Sequence, residues 1–126
     1  MNSSPAVSED FSRDDRLRKR REFEECYASG VRVSGRHIQV FLLASAAAPR
    51  ARLGVSVPRR VGTAVVRNRV RRRLREIFRR SRGLFGGEAV AVVVNAKPSA
   101  GRATFLELSA DYTDSVRRGL TRRTRP

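Results

Sequence analysis

Residues 67–79 read RNRVRRRLREIFR, inside a stretch, 50–82, that holds thirteen arginines and one acid, Glu76. Long blocks of like charge are usually disordered. Here, however, Val66, Val70, Leu74, Ile77 and Phe78 recur at i, i+4, i+8, i+11 and i+12. At about 100° per residue these five fall within roughly a third of a helix circumference, with the arginines on the remainder. The stretch is therefore predicted to be a helix with an apolar seam. Arg67, Arg71, Arg72, Arg75 and Arg79 share one side with Asn68, and Arg69, Arg73 and Arg80 take the other flank. Like charges at i, i+4 cost about 0.2–0.5 kcal/mol per pair, so the bare helix is electrostatically strained and bound phosphates would relieve it. A merely solvated face normally mixes signs, and this one does not. Asn68 is open to two readings, a hydrogen bond to RNA or a cap on a neighbouring loop.

Outward from that helix, Thr63 is a fair N-cap and Gly83 the expected stop. Before it, 52–57 reads as a strand with Leu53, Val55 and Val57 inward and Arg52, Gly54 and Ser56 opposite, ended by Pro58. Further upstream, 31–34 and 36–44 read as strands, the second with Ile38, Val40 and Leu42 on one face and His37, Gln39, Phe41 and Leu43 on the other. A short helix over 22–29 carries Phe23, Cys26 and Tyr27 on one side, with Gly30 at its C′ position. Downstream, the β-branched run 88–95 suits a strand covered on both faces. Lys97 and Pro98 end it, and Thr104 caps a last helix in which Leu108, Tyr112, Val116 and Leu120 recur every four residues. The order helix, two or three strands, helix, strand, helix predicts one sheet with helices packed on it.

At 126 residues the chain is expected to form one domain with a small core, and 40% hydrophobic content argues against wholesale disorder. Residues 1–15 read as a disordered tail, 16–120 as the domain and 121–126 as a basic frayed end. A net charge of +16 calls for a polyanionic partner. The longest apolar run, 89–94, is far too short to span a bilayer, so nucleic acid is preferred over membrane. No secretory pattern opens the chain and Cys26 stands alone, which together predict a cytoplasmic protein.

The inventory for catalysis is poor. One His and one Cys cannot make a four-ligand zinc site. Glu76, Glu88, Glu107, Asp111 and Asp114 are not spaced for a two-metal cluster. His37 alone on a strand is expected to be structural. Phe23, Tyr27 and Phe41 are either core or a stacking platform for unpaired bases. Core is favoured by the helical spacing of the first two, and a platform by the small Gly54 and Ser56 beside a face the later helices cannot cover.

These residues match a family pattern. RLRKRREFEECYASG at 16–30, R-x-x-x-x-F at 36–41, RLGVSVPRRVGTAVVRNRVRRRLREIF at 52–78, and a hydrophobic strand ended by Lys97 and Pro98 resemble the protein subunit of bacterial ribonuclease P over residues 16–120. The resemblance implies an α+β fold, a single α/β sandwich of ribosomal-protein-like type. Its one mainly antiparallel sheet would carry a left-handed β-α-β crossover through the arginine-rich helix, where general rules favour a right-handed one. It implies a subunit of an endoribonuclease whose RNA component, using Mg2+, removes the 5′ leader of precursor tRNA. Arg67, Asn68, Arg69, Arg71, Arg72 and Arg75 would face the catalytic RNA. Phe23, Tyr27, Phe41, Ser56, Arg59 and Arg60 would line a cleft for the single-stranded leader. No catalytic residue, metal site or obligate protein partner is expected on the chain itself. Ala96, where relatives often carry a basic residue, departs from the pattern and is expected to weaken a peripheral contact. The alternatives are a structural RNA-binding protein of ribosomal type and a protein-only nuclease, the latter disfavoured by the scarcity of acids and histidine.

Overall fold

The structure, a computed structural model, describes residues 15–45 and 50–123. Three helices, α1 (Arg20–Ser29), α2 (Ala64–Arg80) and α3 (Phe105–Arg123), pack on four strands, β1 (Val31–Ser34), β2 (Ile38–Ala44), β3 (Arg52–Ser56) and β4 (Val90–Ala96). The sheet runs in the order β1-β2-β4-β3, antiparallel at its first two pairings and parallel between β3 and β4. The parallel neighbours are joined through α2, so the arginine-rich helix is itself the crossover. The outcome is an α+β fold with one mainly antiparallel sheet.

The seam behaves as its period requires. Val70, Leu74, Ile77 and Phe78 are buried against Ile38, Val40, Leu42, Leu53, Val92 and Val94, and α3 completes that layer with Leu108, Tyr112 and Val116. On the opposite face α1 and the segment before it bury Leu17 and Cys26 on Phe41, Ala91 and Val93, with Phe23 and Leu43 at the margin. β4 is thus covered on both sides, as its β-branched run predicted. Thr63 caps α2, accepting from the Val66 N–H at 3.3 Å, and Thr104 and Glu107 form a reciprocal capping box on α3.

Several expectations are corrected. α2 stops at Arg80, three residues before Gly83, because the Ser81 N–H and hydroxyl take up the carbonyls of its last turn. The left-handed turn falls later, at Gly86 and Gly87. Gly30 is extended rather than left-handed, and its need is space: a Cβ there would lie 2.5 Å from the Cys26 carbonyl oxygen. The N-terminal tail does not reach 15, since the Asp15 side chain is fully buried in ion pairs with Arg82 and Arg50; residues 1–14 lie outside the described ones. The C-terminal end is helical through Arg123, where Arg122 donates to the Arg32 carbonyl and Arg123 pairs with Glu88. Ala96 is buried in the main core, so it does not stand at a peripheral contact.

Candidate nucleic-acid interface

The two flanks of α2 are engaged differently. Arg69 and Arg73 are half-buried, and they donate to the carbonyls of Gly101 at 3.2 Å and Ala103 at 3.0 Å, tying the helix to the turn before α3. Arg80 stacks over Phe105, and with Arg79 it holds Glu76, whose carboxyl is pulled down to about 2 by the hydrogen bonds from Arg79 and Arg80. On the other flank, Arg67 donates Nε–H to the Gly62 carbonyl and Arg71 donates to Asn68 Oδ1 at 2.9 Å. Asn68 therefore neither caps a loop nor stands alone; it orients Arg71. Among the described residues no acid pairs with Arg67, Arg71, Arg72 or Arg75. Burial, then the like charges of Arg16 and Arg71, lowers the pKa of Arg75. This flank is the one that gains from an anion. Arg69, expected to face RNA, belongs to the flank that the fold uses.

A second surface lies on the α1 face of the sheet. Cross-strand pairing there makes rows: Leu43, Ala91 and Arg52; then Phe41, Val93 and Gly54; then Gln39, Asn95 and Ser56. α1 covers the first two. The Cys26 thiol lies over the Ala91 carbonyl and Arg52 pairs with Glu22 at 2.8 Å. Phe23 sits on Gly54 so closely that a Cβ there would be 2.6 Å from its ring. Tyr27 meets Phe41 edge-on at 4.9 Å. The third row is left open, a polar hollow of Gln39, Asn95 and Ser56 rimmed by Arg60 and Lys97. Tyr27, 41% exposed, leans over it and donates its hydroxyl to Asn95 Oδ1 at 3.0 Å.

Of the predicted cleft residues, Tyr27, Ser56 and Arg60 thus meet at one hollow, and Arg59 is exposed on the same turn. Phe41, 8% exposed, and Phe23 on Gly54 are instead the packed floor and wall beneath it. The helix that carries Phe23 covers the Phe41 and Gly54 rows of that face and leaves the Gln39, Asn95 and Ser56 row open. Gln39 and Asn95 were missed as site residues, although strand alternation already set Gln39 on the Phe41 face. His37 is structural: its Nδ1 is 2.8 Å from Ser99 Oγ, and its N–H and that of Ile38 bond to the Asp111 carboxylate.

The hollow and the open flank of α2 are joined by a three-residue turn, Arg59–Val61, that leads from β3 into the helix. A basic helix flank and a polar groove thus lie side by side on one small sandwich. A family model described as ribonuclease P matches residues 11–119. The chain belongs to the ribonuclease P protein family. The ribonuclease P protein component of Desulfovibrio desulfuricans is 44% identical over 106 residues, 82% of this chain and 81% of the relative. That of Acidothermus cellulolyticus is 42% identical over 98 residues, 77% of this chain and 81% of the relative. Among solved structures, the ribonuclease P protein of Staphylococcus aureus superposes with a TM-score of 0.75 at 27% identity, covering 82% of this chain and 93% of that one. The protein from Thermotoga maritima gives a TM-score of 0.72 at 28% identity, covering 82% and 96%.

Membership decides between the readings left by the sequence. The chain is the RNA-binding protein component of an endoribonuclease that processes tRNA and works with an RNA subunit, not a ribosomal structural protein. Among the described residues no helix is long and apolar enough to cross a membrane.

Proposed function

We propose that the chain gives ribonuclease P two adjoining RNA surfaces. The flank of Arg67, Asn68, Arg71, Arg72 and Arg75 binds the catalytic RNA. The hollow under Tyr27, with Ser56, Arg59, Arg60, Gln39 and Asn95, holds the single-stranded 5′ leader of precursor tRNA. The observation that carries this reading is the row Gln39, Asn95 and Ser56, left uncovered by α1 and continuous through the Arg59–Val61 turn with the open flank of α2. One π face, two amides and flanking guanidinium groups suit an unpaired nucleotide, which offers a base to stack and a phosphate to neutralise.

The Mg2+ that supplies a metal-bound nucleophile and charge neutralisation would belong to the RNA subunit and substrate phosphates. Among the described residues no three His, Cys, Asp or Glu side chains come together as ligands. The chain's part is to bind and orient RNA in the cytoplasm, with no obligate protein partner. In a reconstituted complex at low Mg2+, adding the protein should raise correct 5′ cleavage, and the gain should grow with leader length until the hollow is filled. A gain independent of leader length would assign the hollow no leader, and no gain at all would overturn the reading.

A further inference from the structure

The polar atoms of the hollow are fixed unequally. Asn95 stands on β4, which is paired on both sides, with Gln39 of β2 and Ser56 of β3 as its partners across the sheet. Its side chain is held from another element, since the Tyr27 hydroxyl on α1 donates to Asn95 Oδ1 at 3.0 Å. Tyr27 is itself placed by its edge-on contact at 4.9 Å with Phe41, a residue of the packed floor. An amide whose oxygen is engaged by a phenol is fixed in rotation, and it leaves its NH2 group to the hollow that it lines. The Gln39 amide stands outside that bond and can turn to offer either end. Arg60 on the rim can only donate. The hollow therefore presents one fixed donor beside one adaptable amide.

We infer that Asn95 is a specificity-determining residue that favours a keto base, uracil or guanine, in the bound strand, and that the Tyr27 hydroxyl is the group that positions it. A keto base carries on its pairing edge a carbonyl oxygen next to a ring N–H. The oxygen accepts from Asn95 Nδ2 while the N–H donates to Gln39 Oε1. Adenine and cytosine carry an amino group next to a bare ring nitrogen, so the fixed donor would meet a second donor and stay unpaired, which is how a hydrogen-bonding site rejects a ligand of similar shape. A Tyr27–Asn95 bond that only tethered α1 to the sheet would be indifferent to the base. This inference deepens, and rests on, the reading that the hollow holds the leader.

The test uses the full chain reconstituted with in vitro transcribed ribonuclease P RNA, and precursor tRNAs in which each leader position in turn carries each base. At one position uracil and guanine should bind about 3- to 10-fold more tightly than adenine and cytosine, the span of one net hydrogen bond. Tyr27→Phe keeps the ring and should narrow that ratio, because the freed amide can turn to suit either class. Asn95→Ala should erase it, and Asn95→Asp, which presents only acceptor oxygens, should reverse it. Each ratio is taken within one variant, so a general loss of affinity or stability cancels. Equal binding of all bases at every position, a ratio unmoved by both Tyr27→Phe and Asn95→Ala, or a preference for adenine and cytosine that Asn95→Ala erases would overturn the inference. If affinity still rose with leader length, base reading alone would fail; if substrates with and without a leader bound alike, the leader reading of the hollow would fail with it.

Discussion

On one flank of α2, Arg69 and Arg73 reach across to carbonyls of the turn before α3; on the other, Arg67, Arg71, Arg72 and Arg75 meet no acid among the described residues. One residue type on one helix is used for the fold on one side and left without an acidic partner among the described residues on the other. The same division runs through the chain. Arg50, Arg52 and Arg82 each pair with a carboxylate of the N-terminal segment or α1. α3 gives a third pattern, with Asp114 and Arg118 paired at i, i+4 and Arg122 and Arg123 in the last turn, where they suit the helix dipole. Charge count alone therefore does not mark an interface. What marks one is the cations left after the fold has taken its share.

The comparison breaks most readily at the fold's own arginines. Arg82→Ala takes the buried partner from the Asp15 carboxylate, leaving it the half-exposed Arg50, and should cost about 3–5 kcal/mol in a urea melt. Next, Arg69→Ala and Arg73→Ala together should cost about 2–4 kcal/mol, since each removes a charge-assisted bond to a carbonyl. Neither set should change the number of phosphate contacts read from a salt series on the folded protein. Arg71→Ala with Arg75→Ala should do the reverse, leaving stability level while the salt slope falls by about 1.4–1.8. If the two double variants behaved alike, the division between the flanks would be false.

Within the hollow, Tyr27→Ala should cost about 1–3 kcal/mol of affinity for a substrate with a leader and nothing for one without. Phe23→Ala should instead lower stability, with equal effect on both substrates, because its ring packs on Gly54. The smallest effect is expected at Glu76. Its folded pKa, about 2, is below the ordinary 4.5, so its pairs with Arg79 and Arg80 stabilise above pH 4.5 and are lost as pH falls toward 2. Thermal melts of the protein and of Glu76→Gln should therefore converge only inside that window.

Much of this architecture is legible in the sequence because it rests on period. The seam of α2 and the alternation in β2 and β4 depend on where side chains point, and that is set locally. The uses of individual arginines are not local. Arg69 and Arg71 differ by two positions in sequence, and only the arrival of the turn before α3 separates their roles. Phe23 and Phe41 went to the packed floor for a similar reason: α1 lies across the sheet, a placement no helical period encodes. Asp15 looked like part of an acidic tail because its partners, Arg50 and Arg82, are far along the chain.

The most direct test of the interface uses the chain's single cysteine. Cys26 is fully buried and its thiol is pushed up to about 11, chiefly by burial, so it should resist labelling in the folded protein. An RNA-cleaving chelate can then be tethered at Arg72→Cys on the open side of α2, or at Arg118→Cys on the outer face of α3. The account predicts strong, localised cuts in the ribonuclease P RNA from position 72 and few from 118. Strong cuts from 118 with none from 72 would contradict it.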